Sequence, residues 1–205
     1  MLVKVLGVNL VLMINFTERL DLAIRKSARA HEIAGQHRKG GDIPYIIHPF
    51  STMLIASNIT DDEDTLIACL LHDVLEDVDK NIYNEHEIRN DFGDKVVKIV
   101  KDVSKNDKLK DWHVISQDYL NHLEFKACDE AIIVSASDKI HNIISVIIDY
   151  RKIGDKVWDI FKTTNKADQI WWYESILKII INRNVNMILS DQLKSLIIEL
   201  KDLTK

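Results

Sequence analysis

A long apolar stretch with a polar centre is the feature of this sequence that most constrains its fold. Residues 129–150 read DEAIIVSASDKIHNIISVIIDY, with hydrophobic residues at helical spacing on both sides of the centre. His141, Asn142 and Ser145 lie three, four and seven residues after Asp138, so these four residues share one helical face. Buried polar groups in so apolar a helix need partners. Two interpretations stay open from this segment alone: a structural hydrogen-bond network and part of a functional site.

The rest of the chain has the same helical character. Six glycines, two prolines, 46% hydrophobic residues and 29% charged residues are typical of a compact helical protein. We therefore predict an all-α fold, a single-domain helical bundle of roughly eight to ten helices. Hydrophobic spacing predicts these helices at about 17–36, 46–58, 62–77, 84–90, 93–103, 112–126, 129–149, 155–162, 166–184 and 188–202.

The N-terminus is interpreted as an extension that precedes the bundle. Residues 1–12 are apolar but too short to span a bilayer, and no small-residue cleavage site follows them. The chain then continues into an amphipathic helix with Thr17 as its predicted N-cap. We expect residues 13–205 to form one domain, because no repeat or glycine- and proline-rich linker divides them. We expect the protein to be cytoplasmic.

Charge and cysteine content narrow the classes of function. The formal net charge of -5 argues against a nucleic-acid-binding protein, which usually carries a basic face. Cys69 and Cys128 lie in apolar helical contexts without Cys-x-x-Cys spacing, so we interpret both as core residues in a reducing compartment. We expect a small-molecule ligand and neither nucleic acid nor membrane as a partner, while the oligomeric state stays open.

The strongest local signal is LIACLLHDVLED, residues 66–77, where six apolar residues precede His72, Asp73, Glu76 and Asp77. In a continuous helix these four side chains lie on neighbouring faces of one or two turns. Three carboxylates at this density repel one another and are costly to bury. A cation or a solvated cleft must offset that cost, so the segment indicates a metal site or a catalytic site.

A third segment, PYIIHP at residues 44–49, places a histidine directly before a proline at the predicted start of a helix. Alone, such a histidine is usually structural. Imidazole and carboxylate ligands with open water positions suit a divalent transition metal, Mn²⁺ first, with Fe²⁺ or Zn²⁺ as alternatives. Together with the two other segments, this one completes such a set of two histidines and two aspartates: His48, His72, Asp73 and Asp138.

Two polar loops and one aromatic cluster have less specific signals. RKGGDIPY, residues 38–45, is basic and contains two glycines and a proline, so we expect a loop and a candidate anion site. SKNDKLKD, residues 104–111, is interpreted as a solvated connection between helices. Trp172 and Tyr173 are interpreted as core residues, with base stacking as the alternative. Four histidines are interpreted as surface or packing residues: His37, His86, His113 and His122.

The adjacent His72 and Asp73, with a separate earlier histidine and a later aspartate, resemble the HD superfamily of metal-dependent phosphohydrolases. The wider pattern resembles the hydrolase domain of RelA/SpoT homologues and the small stand-alone alarmone hydrolases, through about residues 20–185. The matching segments are GQHRKGGDIPYIIHP (35–49), LLHDVLED (70–77), DFG (91–93), VSK (103–105) and ASDKIHN (136–142).

The resemblance implies an HD-type helical bundle that hydrolyses the 3′-pyrophosphate of (p)ppGpp to GDP or GTP and pyrophosphate. It implies catalysis by Glu76 and Asp77. The implied metal ligands are His48, His72, Asp73 and Asp138. The implied nucleotide contacts are Arg38, Lys39, Tyr45, Lys139 and Asn142.

The sequence also departs from the family pattern and leaves alternatives. The family commonly has a histidine three residues before the glutamine of its GQxRK segment, whereas this chain has Ile33 there and His31 two positions earlier. One alternative keeps the fold and the metal but acts on (p)ppApp or another nucleotide. Another is a non-catalytic, nucleotide-binding regulatory HD module, although Glu76 and Asp77 beside a complete ligand set count against it.

Overall fold

The computed structural model describes residues 14–38, 42–106, 108–161 and 164–205, together with the backbone of 4–5 and 8–9. Helices dominate these residues, which confirms the predicted all-α class. Two short antiparallel strands, β1 (Lys4–Val5) and β2 (Val8–Asn9), pair within the predicted extension. The α-helices of the described residues are α1 (Glu18–Ile33), α2 (Ile47–Ala56), α3 (Glu63–Leu71), α4 (Val74–Asp77), α5 (Glu85–Phe92), α6 (Asp94–Asp102), α7 (Trp112–Phe125), α8 (Asp129–Ile153), α9 (Lys166–Arg183) and α10 (Met187–Leu203).

Polar caps set where several of these helices begin. The predicted cap Thr17 accepts a backbone hydrogen bond from the first turn of α1. Asn84 and Asn165 form reciprocal capping boxes with Glu87 and Asp168 at the starts of α5 and α9. Such caps satisfy backbone N–H groups that have no partner inside the helix. These caps, together with the hydrophobic spacing, explain why most predicted helices are found.

Helix α8 forms the centre of the bundle and contacts α2, α3, α9 and α10. Its fully buried side chains include Ile132, Ile140 and Ile143. Burying each of them stabilises the fold by roughly 1.5–3 kcal/mol. Core packing therefore explains the apolar stretch of the sequence. The polar centre of the same helix is carried into the interior with it, since Asp138 is 6% exposed.

The end of α8 differs from the prediction. The helix continues to Ile153 and ends where Gly154 adopts a φ of 61°. That left-handed conformation favours glycine and terminates a helix. The segment predicted as an α-helix at 155–162 is instead a 3-10 helix, Gly154–Ile160, which contacts α8.

By length and composition, one segment of the described residues could cross a membrane. It is Asp129–Ile160, whose most apolar window has a mean hydropathy of 1.5. However, 67% of that window is buried inside the protein, as expected for the core helix of a bundle.

Candidate active site

Helix α2 places His48 in the interior. Its first turn follows a tight turn at Tyr45, where the His48 N–H donates to the Tyr45 carbonyl at 2.9 Å. The imidazole is 2% exposed, because α2 packs directly on α8. Pro49 follows in the first turn of the helix, where a missing backbone N–H leaves no helical hydrogen bond unmade.

The predicted continuous helix over 62–77 is wrong at residues 72–73. Helices α3 and α4 are separate, with His72 and Asp73 in a turn between them. The His72 imidazole explains the break, because its Nδ1 donates to the Cys69 carbonyl at 2.8 Å. In a continuous helix that carbonyl would accept from the N–H of Asp73. The predicted helical spacing of four residues between Asp73 and Asp77 is still present, because the Asp77 N–H donates to the Asp73 carbonyl at 2.8 Å.

Two buried histidines turn the same ring nitrogen toward the aspartates. The Nδ1 of His48 lies 2.7 Å from the Nδ1 of His141, and the Nδ1 of His72 is bound to a carbonyl. The Nε2 of His48 lies 3.2 Å from Asp138 Oδ1 and 3.4 Å from Asp73 Oδ2. The Nε2 of His72 lies 3.0 Å from Asp73 Oδ2 and 4.0 Å from Asp138 Oδ1. The fold thus brings all four predicted ligands together.

The donor set of this cluster fits a divalent cation. Ligand atoms of His48, His72 and Asp138 lie within 4.8 Å of one another, and Asp73 borders the same space. Within the described part of the chain, the buried Nε2 of His72 makes no hydrogen bond of good geometry, although Asp73 is close. Metal-binding histidines commonly give one ring nitrogen to the metal and hold the other with a hydrogen bond. Both histidines are held in this way.

The charges of the cluster also favour a bound cation. Burial lowers the pKa of His72, but Asp73 and Asp138 outweigh it and raise the pKa to about 9. Burial favours the neutral form of Asp73, but His72 overcomes it and lowers the pKa of that carboxyl. Burial likewise opposes ionisation of Asp138, but Lys139 and then His48 hold its pKa well below the usual range. Two ionised carboxylates therefore share buried space, an arrangement that added positive charge stabilises.

Glu76 and Asp77 lie in α4, beside this cluster. Glu76 Oε1 accepts the backbone N–H of Lys105 at 2.6 Å, and Glu76 Oε2 lies 3.2 Å from the Lys105 ammonium. Desolvation in the cleft, and then the charges of Asp73 and Glu76, raise the pKa of Asp77 to about 6. Its side chain still reaches solvent. Such a carboxyl group can take up and release a proton near neutral pH, as a general acid–base group must.

Tyr45 connects the basic loop with the carboxylates. Its hydroxyl donates to Asp73 Oδ2 at 2.8 Å and lies 3.4 Å from Asp77 Oδ2. Burial, and then these carboxylates, raise the pKa of the phenol, so it keeps its proton and remains a donor. Its ring packs on the buried His31 ring, with centroids 4.6 Å apart. His31 therefore fills space beside the site, although Ile33 occupies the position where the family commonly has a histidine.

A cleft of about 470 Å³ opens over the cluster. Arg38 Nη2 donates to Asn142 Oδ1 at 3.1 Å at its rim. The Lys139 ammonium pairs with Asp138 and lies 5.4 Å from the ring centroid of Trp172. Lys39 lies outside the described residues. The other predicted nucleotide contacts all line the cleft, namely Arg38, Tyr45, Lys139 and Asn142.

Sequence reasoning gave no role to two side chains that belong to the site. His141 supports His48, and burial followed by the charge of His48 lowers the pKa of His141 to about 4. Its signal is present in the sequence as the three-residue spacing from Asp138. Lys105 lies in the segment interpreted as a solvated connection; it is exposed there, and it also lines the cleft and binds Glu76. Its signal in the sequence is the VSK segment (103–105), which matches the family pattern.

The remaining residues interpreted from the sequence lie in the core, along the cleft or near the surface. Trp172 and Tyr173 are 7% and 2% exposed, as core residues are, and both also form a wall of the cleft. Cys69 is buried and Cys128 partly buried, and both are free thiols. His37, interpreted as a surface or packing residue, is exposed and also lines the cleft. The remaining histidines interpreted in that way are at or near the surface: His86, His113 and His122.

Fold and site together define an all-α protein with a buried histidine–aspartate cluster suited to a divalent cation. The chain belongs to the HD domain family, whose model matches residues 23–171.

Curated relatives of this chain are much longer proteins. The guanosine-3′,5′-bis(diphosphate) 3′-pyrophosphohydrolase of Aquifex aeolicus is 32% identical over 153 residues, which are 70% of this chain and 21% of the relative. A GTP pyrophosphokinase of Streptomyces coelicolor is 33% identical over 127 residues, which are 58% of this chain and 14% of the relative. The match therefore covers only 14% to 21% of the length of these relatives.

A solved structure of similar size shares the fold. A metazoan ortholog of SpoT, a protein that hydrolyses ppGpp, superposes with a TM-score of 0.73 at 21% identity. The superposition covers 91% of this chain and 98% of that one. At this identity the likeness establishes the shared fold.

Proposed function

We propose that this chain hydrolyses the 3′-pyrophosphate of (p)ppGpp to pyrophosphate and GDP or GTP, with a divalent cation as its cofactor. The observation that carries the proposal is a single cleft in which a cation-binding cluster, two further acids and cationic side chains meet. The relative named as a 3′-pyrophosphohydrolase and the structural neighbour that hydrolyses ppGpp support the same substrate.

The residues that would hold the cation are His48, His72, Asp73 and Asp138. Their mixture of imidazole and carboxylate groups suits Mn²⁺ first, with Fe²⁺ or Zn²⁺ as alternatives. When bound, such a cation makes water a stronger nucleophile near neutral pH and offsets negative charge on a phosphoryl group. Lys139 and Asn142 both hydrogen-bond Asp138, so they orient its carboxylate.

Asp77 and Glu76 would supply the proton chemistry. We assign Asp77 as the base that orients a water molecule and accepts its proton while the water oxygen attacks the 3′-linked phosphorus. The bond between that phosphorus and O3′ breaks, and O3′ takes up the proton that Asp77 accepted from the water, becoming the ribose hydroxyl and regenerating the carboxylate. Tyr45 and Lys105 position these two acids through the contacts described above.

The phosphate groups would lie toward the basic side of the cleft. Arg38 presents a planar fork that matches two phosphate oxygens, and Lys39 and Lys139 act as point charges. Asn142 holds the Arg38 guanidinium at 3.1 Å, which limits the orientations it must lose on binding. Tyr45 and Asn142 complete the proposed nucleotide contacts.

The proposed partner is a small nucleotide, and neither a nucleic acid nor a membrane. We place the enzyme in the cytoplasm. Both cysteines are free thiols, as is usual in a reducing compartment.

Identifying the products from four nucleotides tests the proposed function. Metal-loaded protein is incubated with ppGpp, ppApp, GTP and dGMP, and the products are separated by ion-exchange chromatography. We expect GDP and intact pyrophosphate from ppGpp. Asp77→Asn should be nearly inactive, whereas Asp79→Asn, an exposed neighbour outside the cleft lining, should match the wild type. Dephosphorylation of dGMP while ppGpp stays intact would show that the substrate is wrong.

A further inference from the structure

The cleft has a second end with different chemistry. Its walls there are Val146 of α8, Val157 and Ile160 of the 3-10 helix, and Phe161. Among the lining residues that the structure describes, Asp149 places a carboxylate at this apolar end. An apolar slot with a few placed polar groups is typical of pockets that hold a ring and fix its orientation.

Helix α8 sets the distance between the two ends. Asp138, Asn142, Ser145 and Asp149 all line the cleft, the last three at steps of four, seven and eleven residues from the first. Eleven residues make close to three full turns, so Asp149 lies on the same face as Asp138, about 16 Å along the helix axis. A nucleotide with its reacting phosphate beside Asp138 would therefore extend its base toward Asp149.

The charge of Asp149 makes phosphate an unfavourable neighbour. Like charges repel, and the cationic side chains of Arg38 and Lys139 lie nearer the Asp138 end of the cleft. Asp149 Oδ1 lies 3.7 Å from Lys152 Nζ, beyond hydrogen-bond distance, and its side chain is 39% exposed. The carboxylate therefore keeps acceptor capacity for a ligand in the cleft.

We propose that Asp149 selects guanine over adenine at this site, an inference that rests on the proposed function. The Watson–Crick edge of guanine presents two adjacent donors, N1–H and the 2-amino group, which one carboxylate can accept as a pair. Adenine presents an acceptor at N1, which a carboxylate repels. Val146 and Val157 would cover the faces of the ring while Asp149 reads its edge.

Kinetics with three bases test this inference. The value of kcat/KM is measured for ppGpp, for its inosine analogue, which lacks the 2-amino group, and for ppApp. We expect the wild type to prefer ppGpp, then the inosine analogue, then ppApp. In Asp149→Asn, the amide can donate to adenine N1 and accept from its 6-amino group. This variant should shift the ratio of ppGpp to ppApp toward ppApp by on the order of 10-fold or more, mainly through KM.

Two variants serve as matched controls. Lys152→Ala removes the ion-pair partner of Asp149 and keeps its carboxylate. Asp202→Asn changes another aspartate that pairs with a lysine three residues later, outside the cleft lining. Both should keep the wild-type base preference. If Asp149 were only structural, Asp149→Asn would lower all three rates in parallel, and the unchanged ratio would overturn the inference.

The outcomes for base selection and for the proposed function are distinguishable. Hydrolysis of ppGpp and ppApp with equal kcat/KM by the wild type overturns the base selection and leaves alarmone hydrolysis standing. If no alarmone is hydrolysed, the proposed function fails, and calorimetric titration with GDP and ADP decides whether the base site exists. Tighter binding of GDP that Asp149→Asn abolishes supports the base site, whereas equal affinities overturn it.

Discussion

Two buried aspartates, Asp102 and Asp138, have contrasting surroundings. Asp102 ends α6, is 9% exposed and accepts hydrogen bonds from Lys98 at 2.7 Å, His122 at 3.1 Å and the Cys128 N–H at 3.2 Å. Its lysine and histidine partners reach solvent. These bonds tie α6, α7 and the start of α8 together, so Asp102 has a structural role.

Asp138 shares its space with Asp73 and two buried histidines. Lys139 and Asn142 bind its oxygens, yet the Nε2 atoms of both histidines still turn toward the two carboxylates. A buried carboxylate does not by itself mark a functional site. What marks a functional site is the direction of the neighbouring ligand atoms. Of the Asp102 and Asp138 clusters, only the Asp138 cluster directs several ligand atoms at one common space.

The largest effect is expected from removing a member of the Asp138 cluster. His72→Ala and Asp138→Ala should each lose the metal and the activity, because the remaining ligands hold the cation too weakly. Changes to residues that only orient metal ligands cost roughly 10- to 100-fold in affinity or activity, so these losses should be larger. Elemental analysis beside initial rates measures both quantities, with circular dichroism as a control for folding. Wild-type metal content in either folded variant would contradict the ligand assignment.

Asp77→Asn should separate catalysis from metal binding. We expect this variant to keep its metal and its nucleotide affinity, while kcat falls by on the order of 10²-fold or more, because a positioned acid–base group is lost. The same elemental analysis and rate assay apply, with His72→Ala measured in parallel. Loss of metal as complete as in His72→Ala would make Asp77 a ligand.

Asp102→Ala tests the structural half of the comparison. It leaves the Cys128 N–H without its acceptor, so the free energy of unfolding should fall by about 1–3 kcal/mol. Metal content and kcat of the folded protein should not change. Urea unfolding measures the loss, and Asp129→Ala, which breaks the more exposed pair with Arg183, should cost no more than about 1 kcal/mol. An Asp102→Ala variant of normal stability that lacks metal would reverse the two roles.

Removing residues 1–12 should have the smallest effect. These residues precede the first amphipathic helix and include no predicted site residue. A chain that starts at Met13 should keep its helical content, its metal and an unfolding free energy within about 0.5 kcal/mol of the wild type. Circular dichroism during urea unfolding checks this. Failure to fold would show that the segment packs into the core.

The bundle and the histidine–aspartate cluster could be predicted because their signals are local or chemically specific. Hydrophobic spacing and caps such as Thr17 define helices without knowledge of their neighbours. His72 and Asp73 are adjacent, and Asp138 interrupts an otherwise apolar helix. Both features can be recognised in the sequence without knowledge of the fold.

The remaining site residues depend on contacts that no local pattern shows. Lys105 meets Glu76 across 29 residues of sequence, and the match of VSK (103–105) to the family pattern does not show which side chain it contacts. The helix break at His72 depends on a side chain that binds a backbone carbonyl. Asp149 becomes a cleft residue because the 3-10 helix after Gly154 contributes the facing wall.

Metal removal tests most directly whether the Asp138 cluster is the cation site that supports hydrolysis. Wild-type protein and Asp102→Ala are stripped with chelator, checked by elemental analysis, and assayed for pyrophosphate release from ppGpp before and after addition of Mn²⁺. We predict that chelation abolishes turnover in both proteins and that Mn²⁺ restores it, with metal content and rate returning together. Full activity in excess chelator, after verified removal of the metal, would contradict the assignment of the cluster.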